Sequence, residues 1–257
     1  MEKRAEFLKR AENRKGFLIS GVRPVLEAIE AGKEIEKVLI QAGVAGEGVR
    51  DLLEKIRTLK IPVQRVPPEK LNRLTRTRHQ GVVAFLSPIE YRSLDQVITS
   101  SFRNGKPPSV VILDRVSDVR NFGAIARTAE GLGFDAIIIP TSGNAQINDE
   151  AMKSSSGALN YIPVCRENNL AVTLQYLQEC GLEVIACTEK AASVIYDLDL
   201  KGPLALLFGS EENGISPLLL KKADHLTKIP MTGRIKSFNV SVSVAIAGSE
   251  VFRQRRS

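Results

Sequence analysis

Three short segments of this 257-residue chain carry the polar side chains that could do chemistry. The first runs Asn121-Phe122-Gly123-Ala124-Ile125-Ala126-Arg127. Ile125, Thr128, Ala129 and Leu132 share one helical face, which predicts a buried stripe. Gly123, Arg127 and Glu130 then fall opposite, and Asn121 stands where an N-cap would. Arg127 is a cation that stays charged. The segment reads equally as a capped helix with a solvated arginine. The second is Phe208-Gly209-Ser210-Glu211-Glu212-Asn213-Gly214, after an apolar run. Its glycines let backbone approach a ligand or turn sharply. It lacks the Gly-Lys-Ser/Thr of a P-loop, and no Gly-x-Gly-x-x-Gly opens a helix here. Alone, it is as readily a simple turn. The third is Ile229-Pro230-Met231-Thr232-Gly233-Arg234-Ile235-Lys236-Ser237-Phe238-Asn239. Pro230 stops a strand, Gly233 permits a tight loop, and Ser237 or Asn239 can cap the element that follows.

The elements that must position these segments are short and alternate. Ser20 looks like the N-cap of a helix whose Val22, Val25, Leu26 and Ile29 follow helical spacing, ended by Gly32. A strand Val38–Gln41, a helix Val49–Leu59, a strand Val63–Val66, a helix Pro68–Leu74 and a strand Val82–Leu86 follow. This is a small α/β layer domain. Pro88, Asn104-Gly105 and Pro107-Pro108 punctuate a linker over residues 91–108, with a helix Leu94–Phe102 inside it. Strands Ser109–Asp114, Ala136–Ile139, Val184–Cys187 and Leu204–Phe208 are apolar runs suited to a buried parallel sheet. Helices Phe122–Leu132, Leu170–Cys180 and Pro217–Lys222 alternate with them, a doubly wound α/β pattern. The final stretch alternates Val240, Val242, Val244 and Ile246 with small residues, which is strand periodicity.

Charge is distributed unevenly. Residues 1–90 hold 18 Lys and Arg against 12 Asp and Glu, whereas the remainder holds 18 against 17. A basic module beside a near-neutral one suits capture of a polyanion by the first and chemistry by the second. Arg73-Leu74-Thr75-Arg76-Thr77-Arg78 is a basic stretch of this module, and reads also as a solvated loop. With no Trp and 4 Tyr, extended base stacking is not expected. Cys165, Cys180 and Cys187 form no CxxC pair, which fits a reducing compartment and buried thiols. His79 and His225 are far apart, so no zinc site is expected. No apolar run approaches the ~20 residues of a membrane span. The start Met1-Glu2-Lys3-Arg4 lacks the apolar stretch of a signal peptide. These features predict a cytoplasmic protein.

In this order and spacing, the three segments resemble the motifs of the SpoU/TrmH-type RNA ribose 2′-O-methyltransferases of the SPOUT class. The stretches Gly21–Ile29 and His79-Gln80-Gly81-Val82-Val83-Ala84 are similar to the ribosomal-protein-like substrate-binding domain that precedes the catalytic domain in many such enzymes. The group that methylates a guanosine of 23S rRNA looks closest. The resemblance implies a basic extension over residues 1–16, an RNA-binding domain over 17–90 and a methyltransferase domain over 109–257. It implies that the latter closes a trefoil knot and that the final element is a helix. It implies S-adenosylmethionine as cofactor, held around Gly209, Ile229, Met231 and Phe238. Arg127, Asn121, Glu211, Ser237 and Asn239 would form the catalytic group. Arg73, Arg76, Arg78 and Arg120 would contact RNA. It implies a homodimer through the C-terminal domain, and Ser241, Ala245 and Gly248 recur at a spacing that would let two backbones approach. No metal and no membrane are implied. Phe238 stands where the family usually has Leu, and Ser243 where it often has Ala. A tRNA ribose methyltransferase and a non-catalytic ribosome-assembly factor are the rival readings.

Overall fold

The computed structural model describes residues 18–235 and 237–256, and the chain divides into two units after Glu90. The basic extension expected over residues 1–16 lies outside the described residues.

The first unit is a four-stranded sheet with helices on both faces. Its elements are β1 (Leu18–Ser20), α1 (Val22–Glu30), β2 (Ile35–Gln41), α2 (Glu47–Thr58), β3 (Val63–Val66), α3 (Pro68–Leu74) and β4 (Val82–Leu86). The strand order is β1-β4-β2-β3, with β3 parallel to β2 and the other pairs antiparallel. Strand alternation sends Val38 and Ile40 to one face, where Val25 and Ala28 of α1 and Leu52 and Ile56 of α2 cover them. Leu39 faces the other way, onto Leu71 of α3. Both faces are therefore apolar, as in a covered sheet. The expected Ser20 cap is corrected. Ser20 pairs with Val83 in the sheet, and Gly21 caps α1 at φ 102°, with no side-chain cap. The apolar residue types before Ser20 give no turn signal, and a strand this short shows no periodicity of its own.

The second unit is built on seven parallel strands. In chain order come α4 (Leu94–Arg103), β5 (Ser109–Asp114), α5 (Val119–Gly131), β6 (Ala136–Pro140), α6 (Asp149–Ser154), β7 (Val164–Glu167), α7 (Leu170–Glu179), β8 (Glu183–Cys187), β9 (Ser193–Val194), β10 (Leu204–Gly209), α8 (Pro217–Lys222), β11 (His225–Lys228) and α9 (Val240–Arg256). The strand order is β7-β6-β5-β10-β8-β11-β9. All six residues of β5 are buried, which is why the central strands read as unbroken apolar runs. One face packs Leu94 and Ile98 of α4, Leu174 and Leu177 of α7 and Leu219 of α8 against Val110, Ile112, Ile138, Val184 and Leu207. Each such buried aliphatic side chain contributes about 1.5–3 kcal/mol relative to exposure. Residues 91–108, expected to join two domains, thus supply a core helix of the second unit.

Helices α5 and α9 pack against each other. Val240, Val244, Ala247 and Val251 are buried, so the small and β-branched run is a helix, as the resemblance implied, and strand periodicity misled. Gly248 is corrected as a contact for a second subunit. It is buried within the unit, and a Cβ there would meet Leu132 Cδ1 at 2.8 Å and Phe134 Cε2 at 3.0 Å. Gly123 is corrected too. It was expected on the open face of α5, yet it is buried, and a Cβ would lie 1.8 Å from Ser154 Oγ and 2.8 Å from the Ala151 carbonyl. Helix α6, too short to read from periodicity, supplies those neighbours.

Candidate active site

The chain folds β6 and β7 to one side of β5 and places β10 and β8 on the other. The winding therefore reverses between β5 and β10, whose last residues, Asp114 and Gly209, lie in register. Parallel sheets bind ligands beyond the carboxyl ends of their strands at such a point. A cavity of about 300 Å³ opens beside it, at the carboxyl ends of β10 and β8. Gly209, Ile229, Met231 and Phe238 all line it, as do Glu211 and Ser237. Phe208, Ile215, Ile229, Met231 and Phe238 supply apolar wall, and Glu189, Glu211 and Glu212 supply carboxylates beside Lys190. Sequence reasoning missed Cys187 to Lys190. They sit at the end of β8, and only the strand order brings that end beside β10.

Gly209 is fixed by its close neighbours. A Cβ there would fall 2.0 Å from the Gly214 carbonyl carbon and 2.1 Å from Ile215 N. The loop after β10 thus folds back onto its own origin. Gly214 turns it at φ 64°, and the Gly214 N–H donates to the Ser210 carbonyl at 2.8 Å.

Helix α5 begins earlier than expected because Asp118 caps it. The Asp118 carboxylate accepts from the Arg120 N–H at 2.9 Å and the Asn121 N–H at 2.8 Å. Asn121 is therefore not the cap, and its side chain is free for other work. Its amide donates to Glu211, and its carbonyl oxygen accepts from Asn239 Nδ2 at 3.1 Å. The Asn239 oxygen in turn accepts from the Ser241 N–H at 2.9 Å, so Asn239 caps α9. One hydrogen-bonded chain thus joins the three segments singled out by their residue types: Glu211, Asn121 and Asn239.

The other expected residues are placed differently. Arg127 is exposed on α5, where Phe122, Ile125, Ala126 and Ala129 form the buried stripe. Among the described residues it joins neither this hydrogen-bonded chain nor an ion pair. Arg120 pairs with Glu150, Nε to Oε1 at 2.8 Å, and that partner raises its pKa. Arg73 lies in the last turn of α3, with Arg76 and Arg78 exposed in the loop beyond. His79 braces that loop. Its Nδ1 accepts from the Gly81 N–H at 3.0 Å, and its Nε2 bonds Asn72 Oδ1 at 2.8 Å.

Two further residues brace the loop that lines the cavity. Asp114, a carboxylate buried at the end of β5, accepts from the Ser216 N–H at 2.7 Å. Arg115 donates to it through Nε at 3.0 Å and Nη2 at 3.1 Å, and Nη2 also reaches the Gly214 carbonyl at 3.3 Å. In the sequence the pair opens the polar run over residues 114–120 that leads into the first segment. Among the described residues there is no cluster of His, Cys, Asp and Glu arranged to hold a metal.

This fold and crevice define a class of RNA-modifying enzyme, and the chain belongs to the SpoU rRNA methylase family, whose model matches residues 108–249. The model for RNA 2′-O ribose methyltransferase substrate binding matches residues 18–92. A TrmH family tRNA/rRNA methyltransferase of Staphylococcus haemolyticus is 39% identical over 93% of this chain and 96% of its own length. Among solved structures, the SpoU methyltransferase AviRb of Streptomyces viridochromogenes, in complex with AdoMet, superposes with TM-score 0.61 at 25% identity, over 94% of this chain and 91% of that one. An AdoMet-bound rRNA methyltransferase of Sinorhizobium meliloti gives 0.57 at 26% identity, over 92% and 87%. A TrmH/SpoU tRNA modifying enzyme of A. aeolicus gives 0.54 at 27% identity, over 63% of this chain and 84% of its own.

Proposed function

We propose that this chain methylates a ribose 2′-hydroxyl of RNA with S-adenosylmethionine, acting on a guanosine of 23S rRNA. The observation that carries this reading is the hydrogen-bonded chain Glu211–Asn121–Asn239 at the edge of the crevice lined by Gly209, Ile229, Met231 and Phe238. The lining fits the cofactor chemically. Apolar side chains suit the faces of adenine, loop backbone suits its edges, and three carboxylates suit a ligand bearing ammonium and sulfonium charges. When bound, the cofactor supplies an electrophilic methyl group.

The residues of the chain do the rest. A guanidinium stays protonated, so Arg127 acts as a fixed cation that favours the developing alkoxide or holds the adjacent phosphate, and not as a base. Its exposure leaves it open to incoming RNA. Asn121, Asn239 and Glu211 hold one another, so their donors and acceptors are preset and the ribose meets them without reorganisation. Ser237 adds a hydroxyl on the wall of the crevice. Arg73, Arg76, Arg78 and Arg120 track phosphates. The substrate-binding domain supports rRNA over tRNA. The tRNA modifying relative aligns with 63% of this chain and so leaves over a third of it without a counterpart, whereas the rRNA methyltransferase aligns with 92%.

The threaded knot belongs to the same reading. It is supported by the loop at Gly209–Gly214 and the segment at Ile229–Phe238 lining one cavity. A homodimer through α9 is supported by Tyr196 and Phe252, 49% and 44% exposed beside a shallow groove that includes Ala245 and Ile246. No helix among the described residues is long and apolar enough to cross a membrane, and we place the protein in the cytoplasm with its RNA substrate. The test is to map ribose methylations in rRNA and tRNA from cells with and without the protein. Loss of one 23S guanosine mark supports the reading. Loss of a tRNA mark alone moves the substrate to tRNA. Unaltered RNA, with the cofactor still bound by the purified chain, favours the assembly-factor role.

A further inference from the structure

We infer that Arg115, gripped by Asp114, is a positioning residue that sets the shape of the cofactor loop and, through it, the seat of Asn121. The inference rests on the S-adenosylmethionine reading of the crevice. Arg115 adopts φ 60°, the left-handed region that residues other than glycine seldom adopt. Its own side chain is 41% exposed, between the buried Asp114 and Val116. What holds it is polar. Both Nε and Nη2 point at the Asp114 carboxylate, a two-pronged pairing of fixed geometry.

That pair grips the loop at two places. The Arg115 guanidinium reaches the Gly214 carbonyl, and the Asp114 carboxylate takes the Ser216 N–H. Between β10 and these anchors lies Glu211, which bonds Asn121. Asn121 itself follows Arg115 by six residues on the segment leaving β5. The segment entering α5 and the cofactor loop are therefore tied twice, at Arg115–Gly214 and at Asn121–Glu211. A loop released at the first tie shifts the second. The family-motif residues Asn121 and Glu211 touch the expected reaction zone, whereas Arg115 acts through them.

The test uses the full chain with Arg115→Gly and Arg115→Lys. Glycine accepts φ 60° without strain, so Arg115→Gly removes the fork and relieves the backbone together. Relief of the backbone raises the ligand-free melting temperature and the unpaired Asp114 carboxylate lowers it, so the net shift should be small. The Kd for S-adenosylhomocysteine, measured by calorimetry, should rise about tenfold, as expected for losing hydrogen bonds to a charged group. The Asn121 side-chain amide resonance of the ligand-free protein should move. Arg115→Lys keeps the charge without the fork and should recover part of the affinity. Wild-type affinity in Arg115→Gly overturns the inference. So does a fall in ligand-free stability, in both variants, large enough to account for all the lost affinity, because Arg115 would then serve the fold alone. If the wild-type chain itself fails to bind S-adenosylhomocysteine, the cofactor reading falls and this inference with it.

Discussion

Replacing Gly209 with alanine adds a single methyl group, and backbone atoms meet it on every near side. The new carbon would sit 2.0, 2.1 and 2.3 Å from Gly214 C, Ile215 N and Gly214 O, where ordinary van der Waals separation begins at 3.4 Å. The loop must move by at least about 1.4 Å, and no side-chain rotation can relieve it. Moving it endangers four hydrogen bonds: Gly214 to Ser210, Arg115 to Gly214, Ser216 to Asp114 and Asn121 to Glu211. At a net ~0.5–1.5 kcal/mol each, losing them costs about 2–6 kcal/mol. With the cofactor held by that loop, as proposed, affinity for S-adenosylhomocysteine should fall by at least ~100-fold, or ~2.7 kcal/mol. Calorimetry on Gly209→Ala reads this directly. Gly131→Ala is the control, because a Cβ there meets nothing within 4 Å and the residue lies at the end of α5. It should bind normally and gain up to ~1 kcal/mol of stability. Binding by Gly209→Ala within threefold of wild type would refute the reasoning.

Arg127→Ala should leave the fold within ~1 kcal/mol of wild type, because the side chain is exposed. Single-turnover methylation should drop by roughly two or more orders of magnitude with cofactor affinity retained, and Arg127→Lys should restore part. Full activity in the alanine variant would remove Arg127 from the mechanism. Reversing Arg73, Arg76 and Arg78 to Glu should weaken RNA binding and flatten its salt dependence by about 0.7–0.9 in log–log slope for each phosphate no longer neutralised, read by titration at several salt concentrations. An unchanged slope would mean that this loop is merely solvated. The Arg253 fork, bonded at 2.7 and 2.8 Å, holds the Glu250 carboxyl down at about 2 from an ordinary value of 4.5. A depressed carboxyl stabilises the fold fully above its unfolded value, and that contribution disappears as pH falls from 4.5 to about 2. Melting curves should therefore show a loss over this window in wild type and a flatter profile, from a lower start, in Glu250→Gln.

The fold class was legible because β5, β6, β8 and β10 are apolar on both faces, and such runs alternating with helices suit a covered parallel sheet. The elements that escaped notice are the ones whose residue types disagree with their state. Strand β7 carries Arg166, a buried guanidinium lying 3.5 Å over the Tyr91 ring, and β11 reads His-Leu-Thr-Lys. Pairing from neighbouring strands, not intrinsic preference, makes these segments strands. The stripe on α9 was ambiguous because small residues fit either period, and packing against α5 decides it. At the site, the polar residues could be picked out by type, but their connections could not. Asn121 looked like a cap because Asp118, three residues earlier, is an equally good one, and only the folded helix shows which of the two turns its oxygen to the backbone. The link from Asn121 to Glu211 spans 90 residues, and the strand order alone creates it.

Cys187, at the end of β8, shares a wall with the proposed methyl donor. A thiolate beside a sulfonium would be a competing acceptor, and each turnover spent on it would alkylate the enzyme irreversibly. Desolvation pushes this thiol up to about 12, so it stays protonated at neutral pH and poorly nucleophilic. Desolvation of Cys187 at the end of β8 would therefore also keep this thiol from competing for the methyl group. Any change that wets this end of β8 would expose the enzyme to slow self-inactivation, visible as a mass gain of one methyl group on Cys187.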